Sequence, residues 1–227
     1  MNSILVSLLP YIIGSAVVPL QIIITVLLLK SPQRGALKAI AYVTGLTFTR
    51  ILQGLLFGFV LADTAVFNSN GKNPVIAAFL LVLGIVLLIA AYKKWSGVAD
   101  SEDAPPKVLT MLDRLSPLQS LGLGIGIPLI AVKLWVFTLS ALATIAAAQL
   151  GQPTSAIAYL LFILLAESLL ILPILLRLLL PKRSKFLLAQ MSDWLTRHNR
   201  PITIAVSLIF GIYFLYSGIT GLLKPAL

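Results

Sequence analysis

Six long apolar runs, separated by short polar or basic connections, constrain this chain more than any other feature. They occupy roughly residues 4–29, 36–62, 74–92, 118–148, 154–180 and 201–223. Each supplies the about 20 residues that a helix needs to cross a hydrocarbon core about 30 Å thick. The runs lack the in-and-out alternation of barrel strands, so they read as helices. Of 227 residues, 59% are hydrophobic and only 11% charged, with a mean hydropathy of +1.04. Soluble domains carry about 25% charged residues, and no soluble fold of this length could hide so much apolar surface. The expected fold class is all-α integral membrane, with six transmembrane helices in one membrane domain.

The connections are punctuated by turn-forming residues: Lys30-Ser31-Pro32, Asn73-Pro74, Pro105-Pro106, Gln152-Pro153, Pro181-Lys182 and Arg200-Pro201. No basic segment precedes the first run, which is longer than the about 7–15 residues of a signal-peptide core. It is therefore read as a retained span. The absence of cysteine excludes disulfides, thiolate metal sites and any cysteine redox relay.

The net charge of +10 suggests nucleic acid until the basic residues are placed. The 1–2 connection holds Lys30, Arg34 and Lys38, and the 3–4 connection Lys93, Lys94, Lys107 and Arg114. The 5–6 connection holds Lys182, Arg183, Lys185, Arg197 and Arg200. These three loops account for 12 of the 17 basic residues, against Lys72 and Lys224 on the other side. The positive-inside rule puts the three loops in the cytoplasm and both termini outside. The charge is topological, and no nucleic-acid partner is expected.

Three helices followed by three more set the two halves in opposite orientation, the inverted-repeat plan of many secondary transporters. The halves are residues 1–95 and 118–227, joined by a cytoplasmic linker at 96–117. Ala39-Ile40-Ala41-Tyr42 at the start of the second span recurs as Ala156-Ile157-Ala158-Tyr159 at the start of the fifth. Eight residues beyond these tyrosines lie Arg50 and Glu167, each near the middle of its span. Lys133 lies near the middle of the fourth span, and Arg177 also falls inside an apolar run.

A charge at the bilayer centre costs about 2.5–3.5 kcal/mol on insertion scales, so Arg50, Lys133 and Glu167 should face partners or a water-filled cavity. Two roles are open to Arg50 and Glu167. They could form an ion pair that only holds the halves together, or part of a translocation site. With Lys133 left over, such a site carries net positive charge and suits an anion. Pro19 and Pro128 interrupt the first and fourth spans, the corresponding first helices of the two halves. Interruptions at matching positions point to a transporter's binding site, although prolines also kink helices that are simply packed. Gln21 and Lys133 follow these prolines and are candidate lining groups. The expected site is therefore Arg50, Lys133, Glu167 and Gln21 for substrate, with helix breaks at Pro19 and Pro128 and no metal or cofactor.

Two further patterns bear on partners. Within 184–198, Leu187, Leu188, Met191, Trp194 and Leu195 form one apolar helical stripe flanked by basic residues. This fits an interfacial helix at 181–200 on anionic lipid headgroups, with Pro201 marking a break before the sixth span. The alternative is a cytoplasmic extension of that span. Gly54-Leu-Leu-Phe-Gly58 permits close helix contact, within the chain or between two copies in a homodimer. The acidic residues Asp100, Glu102 and Asp103 read as solvation of a hinge rather than a metal site.

The stretch Val18-Pro19-Leu20-Gln21 through Leu28-Leu29-Lys30-Ser31-Pro32, then Ala36 to Gly45, resembles the first half of the glycolipid-addressing (GAP, Sap-like) branch of the lysine-exporter (LysE) superfamily. Leu112-Asp113-Arg114-Leu115-Ser116-Pro117 and Ala131-Val132-Lys133-Leu134-Trp135 resemble its second half. Where that family has an Asn-Pro-Lys-type signature, this chain keeps only Lys133, and Pro19 lacks a preceding asparagine. The resemblance implies six helices in inverted halves and export of a solute, or assistance to lipid export, across a bacterial inner membrane. Its branches handle amino acids, cations and glycolipids, so no substrate carries over.

The expected function is a secondary transporter exporting a small anionic or amphipathic solute, a lipid headgroup included. The competing reading is a non-transporting assembly factor for a lipid-export complex. An intramembrane enzyme is not expected, because such an enzyme needs paired catalytic groups. Here one carboxylate lies at depth, and the single histidine, His198, lies in the basic 5–6 connection. The topology is directly testable in this cysteine-free chain. A cysteine at Asn70 should react with an impermeant maleimide on intact cells, and one at Ser101 only after permeabilisation. The reverse pattern would invert the assigned orientation.

Overall fold

The computed structural model describes residues 2–63, 74–97 and 112–223, and everything regular in them is helical. In chain order the helices are α1 (Asn2–Ala16), α2 (Pro19–Lys30), α3 (Gly35–Asp63), α4 (Pro74–Trp95), α5 (Pro117–Ile130), α6 (Val132–Ala147), α7 (Thr154–Ala166), α8 (Ser168–Leu179) and α9 (Pro181–Leu223). A 3₁₀ turn at Leu112–Arg114 precedes α5. The cluster Asp100, Glu102 and Asp103 lies outside the described residues.

Two helices are individually long and apolar enough to cross a membrane, over Gly35–Gly58 and Phe186–Leu223. Counting three bent pairs as single broken spans raises the number to five by length and composition. The molecule is an all-helical membrane protein. Leucines on its outer surface, including Leu55, Leu56, Leu172 and Leu178, are more than half exposed, as a hydrocarbon solvent allows.

The first bent pair is α1 and α2, 57° apart. Val18 is extended between them, and Pro19 opens α2, where its missing N–H costs nothing. The second pair, α5 and α6, bends by 73°. Pro128 itself lies inside α5, and the break falls three residues later at Ala131, which is extended (φ −79°, ψ 94°). The expected break at Pro128 is thus displaced by about one helical turn. The amide of Ala131 still bonds the carbonyl of Ile127, which carries the helix past the proline. The third pair, α7 and α8, bends by 60° at Glu167, with no proline or glycine at the break to announce it. Glu167 ends one helix and starts the next: its amide bonds Ile163, and its carbonyl accepts from Leu170 and Ile171.

α9 runs unbroken for 43 residues, with Pro201 inside it. This corrects the expected break at Pro201 and the separate interfacial helix before it, in favour of an extension of the last span. Leu188 and Leu195 are buried against the α2 side of the bundle, whereas Phe186 and Trp194 are exposed. Arg200 adds a tether: its Nε and Nη2 donate to the carbonyls of Lys94 and Trp95 at 3.1 and 2.7 Å. It thereby satisfies terminal carbonyls of α4 that have no partner within their own helix. Packing on both sides of Pro201 outweighs the one backbone bond that the proline removes.

Two crossings rely on the absence of a side chain. α3 and α5 meet at Gly45 and Gly124, where an added Cβ would run into the carbonyls of Leu121 and Tyr42 respectively. α4 packs along α9, where a Cβ on Gly218 would lie 2.7 Å from the Leu81 amide nitrogen. Such contacts let backbones approach in a medium that offers no hydrophobic driving force.

The buried side chains fall into two cores. One collects α1, α4, α6, α7 and the later part of α9, around Leu8, Phe137, Phe162 and Phe214. The other collects α2, α3, α8 and the early part of α9, around Ile24, Tyr42, Leu170 and Leu188. The α1–α2 and α7–α8 spans each give one half to each core, so their bends lie between the two.

Gly124→Ala should destabilise the protein by about 1–3 kcal/mol through overpacking. Gly126→Ala, with open space at its Cβ, should be neutral or stabilising by about 0.5–1 kcal/mol through helix propensity. Unfolding in detergent with a chemical denaturant would separate the two.

Candidate functional site

α3 crosses the level of the bends without interruption, and it presents Thr47, Arg50 and Gln53 at three-residue spacing on one helical face. Arg50 is 3% exposed and Glu167 is 2% exposed. Arg50 Nε lies 3.4 Å from Glu167 Oε1. Arg50 Nη2 donates to Ser15 Oγ at 2.8 Å, next to the end of α1. Its guanidinium carbon lies 5.8 Å from the centre of the Phe162 ring, within range of a cation–π attraction. Thr47 Oγ1 donates to Glu167 Oε2 at 2.6 Å, a short charge-assisted bond. Tyr159 donates its hydroxyl proton to the backbone carbonyl of Arg50 at 2.6 Å.

One arginine therefore ties two helix breaks together. Through Ser15 it holds the end of α1, and through Glu167 it holds the hinge between α7 and α8. A guanidinium suits this task because its donors form a fixed planar fork and it remains charged when buried. It also places positive charge near the C-terminal ends of α1 and α7, where the helix dipoles are negative.

Among the described residues, several polar side-chain atoms in and beyond this layer are buried without a hydrogen-bond partner. They include Arg50 Nη1, Gln53 Nε2, Gln21 Nε2, Ser140 Oγ, the Tyr42 hydroxyl and Glu167 Oε1. Each such group costs about 1–3 kcal/mol. The nitrogens among them can only donate, so donor capacity is in excess. Arg50 Nη1 and Gln53 Nε2 lie three residues apart on α3. That pattern suits a ligand rich in acceptor oxygens, such as a phosphate, sulfate or carboxylate headgroup.

The expected site residues fare differently. Arg50 and Glu167 come together. Gln21 is buried in α2, two residues beyond Pro19, with its amide nitrogen unpartnered. Lys133 is the second residue of α6, just past the Ala131 break, and its side chain lies outside what the structure describes. Sequence reasoning missed Ser15, Thr47 and Gln53. The three-residue spacing of Thr47, Arg50 and Gln53 was the available signal, and Ser15 was marked only by its nearness to the Pro19 break. In the Gly54-x-x-x-Gly58 motif, Gly54 lies against the Tyr159 ring within the chain, and Gly58 has open space.

Removing one partner of the pair should cost more than removing both. Arg50→Ala or Glu167→Ala strands a buried charge, at about 3–5 kcal/mol each. Arg50→Met combined with Glu167→Met should lie within about 1 kcal/mol of the unaltered protein if the pair is a weak net stabiliser. Denaturant unfolding in micelles measures both, and additive single effects would contradict the coupling.

A model of the family described as SfLAP (Sap, sulfolipid-1-addressing protein) matches residues 8–220. No curated protein and no solved structure matches the chain.

Proposed function

The chain belongs to the Sap, sulfolipid-1-addressing protein family, and we propose that it is a secondary transporter exporting an anionic, amphipathic solute across a bacterial inner membrane by alternating access. The family's name supports a lipid bearing an acidic headgroup as the solute. The observation that carries the proposal is the buried, donor-rich layer around Arg50 at the meeting of two helix breaks. Discontinuous helices that leave polar backbone and side chains between two packed halves are the usual setting of a transporter's binding site. No catalytic step is part of the proposal.

In this reading α4, a largely apolar helix of 22 residues, completes six spans, and residues 1–95 and 118–227 are inverted halves. Tyr42 belongs to one core and Tyr159 to the other. The residues eight positions beyond them, Arg50 and Glu167, pair with each other. α3 crosses α5, and α7–α8 lies on α1–α2, so the second span of each half rests on the first span of the other. The basic loops face the cytoplasm, and basic residues at 181–200 favour anionic headgroups.

The second reading is an assembly factor docking on a lipid-export complex. It is favoured by one surface: the exposed face of early α9 lined by Leu187, Trp194, Arg197 and His198, with Trp194 and His198 stacked at 4.8 Å.

Purified protein in vesicles should accelerate flipping of a fluorescent sulfated glycolipid over its neutral counterpart. Arg50→Ala and Lys133→Ala should each reduce that rate by tenfold or more. No acceleration by the unaltered protein, or unaltered rates in both variants, would overturn the transporter reading and favour the assembly factor.

A further inference from the structure

We propose that Glu167 is the proton-binding site of this protein, and that loading it releases the α7–α8 hinge, coupling its conformational cycle to protons. The inference rests on the transporter reading, and it names the coupling ion at that same site.

Glu167 is both the last cap of α7 and the first of α8, so its backbone is the pivot of the 60° bend. Its side chain reaches α3, where Arg50 and Thr47 hold it. A carboxylate at a pivot and bound to the neighbouring element fixes the hinge only while it is charged. Among the described residues it is also the one acidic side chain buried in the bundle.

The ion follows from what already occupies the site. Broken helices of transporters commonly hold sodium with carbonyls and a carboxylate. Here the cation position beside Glu167 is filled by the guanidinium of Arg50, anchored on Ser15 and over Phe162. A metal cation would have to displace a tethered side chain. A proton needs only a lone pair, and Glu167 Oε1 accepts no hydrogen bond.

Among the described side chains the charged and titratable neighbours are few, and that of Lys133, at the start of α6, lies outside them. From α3 come Arg50 and Tyr42, and from α7 Tyr159, whose hydroxyl is engaged with the Arg50 carbonyl. Tyr42 is buried with its hydroxyl unpartnered. α1 carries only Tyr11, and α2 only Lys30 at its far end. On α8, Arg177 donates to Ser184. On early α9 the titratable side chains described are Asp193, Arg197, His198 and Arg200, all exposed, with Arg200 bound to carbonyls of α4.

The step balances simply. One proton from water on the side to which the site is open adds to a Glu167 oxygen and leaves a neutral carboxyl. The ion pair becomes a weaker contact between a cation and a neutral carboxyl, while Arg50 keeps its charge and its bond to Ser15. After the hinge moves, the same proton leaves to the other side.

The test uses the full chain in vesicles of zwitterionic phosphatidylcholine, with no anionic lipid present. Spin labels go on Leu160→Cys in α7 and Leu178→Cys in α8, both exposed in a chain free of other cysteines. Their distance distribution is read by electron–electron double resonance between about pH 5 and about pH 9, a range in which buried carboxylates titrate. The distribution should shift with pH, and Glu167→Gln should hold it in the low-pH form throughout. Glu167→Asp, which keeps a carboxyl, should retain a shift with a displaced midpoint. A distribution independent of pH in the unaltered protein overturns the proposal, and so does a pH response that survives in Glu167→Gln. If Glu167→Gln does not fold, loss of the displaced midpoint in Glu167→Asp overturns it equally. A pH-driven hinge in a protein that flips no lipid supports this inference and removes only the lipid reading. Flipping with a pH-insensitive hinge does the reverse.

Discussion

A cation cannot be left alone in the middle of a membrane protein, and much of this structure is arranged around that constraint. Arg50 sits on the uninterrupted helix α3 and must find an anion, a π-face and an acceptor within its reach. It finds Glu167, Phe162 and Ser15, which belong to two different broken spans. Each contact satisfies the arginine and also fixes the end of a half-helix. Bends that would otherwise leave backbone groups unsatisfied in a low-dielectric interior become tolerable next to a buried charge.

The two apolar cores make that arrangement mechanically meaningful. Because the α1–α2 and α7–α8 spans contribute to both cores, each core can pack tightly while the spans remain bent between them. The glycine crossings at Gly45/Gly124 and along α4 and α9 hold the backbones close without large side chains. What is left between the cores is polar and incompletely satisfied. A protein that only needed stability would gain by replacing such a layer with hydrocarbon. Its retention is the physical reason to look there for a moving part.

The early part of α9 shows how packing overrode a local signal. Pro201 and the flanking basic residues suggested a separate interfacial helix. Leu188 and Leu195, however, form part of the core around α2, and Arg200 reaches the end of α4. The expected stripe divides: Leu188 and Leu195 face protein, whereas Leu187 and Trp194 are exposed on the surface.

Much was determined by the sequence alone. Apolar runs long enough to span a bilayer dictate helices, since only intra-segment hydrogen bonding satisfies a backbone there. The central charges were legible because they are expensive and rare, and Pro19 marked a break because a proline lacks an amide hydrogen. The bend at Glu167 was not legible in the same way, because no proline or glycine stands beside it. Its pairing with Arg50 was legible only as one of two open roles, since the partner lies more than a hundred residues away. Where an unremarkable backbone bends, and which donors are left over around it, depends on how the two cores and the described helices share space. That was decided only by the tertiary structure.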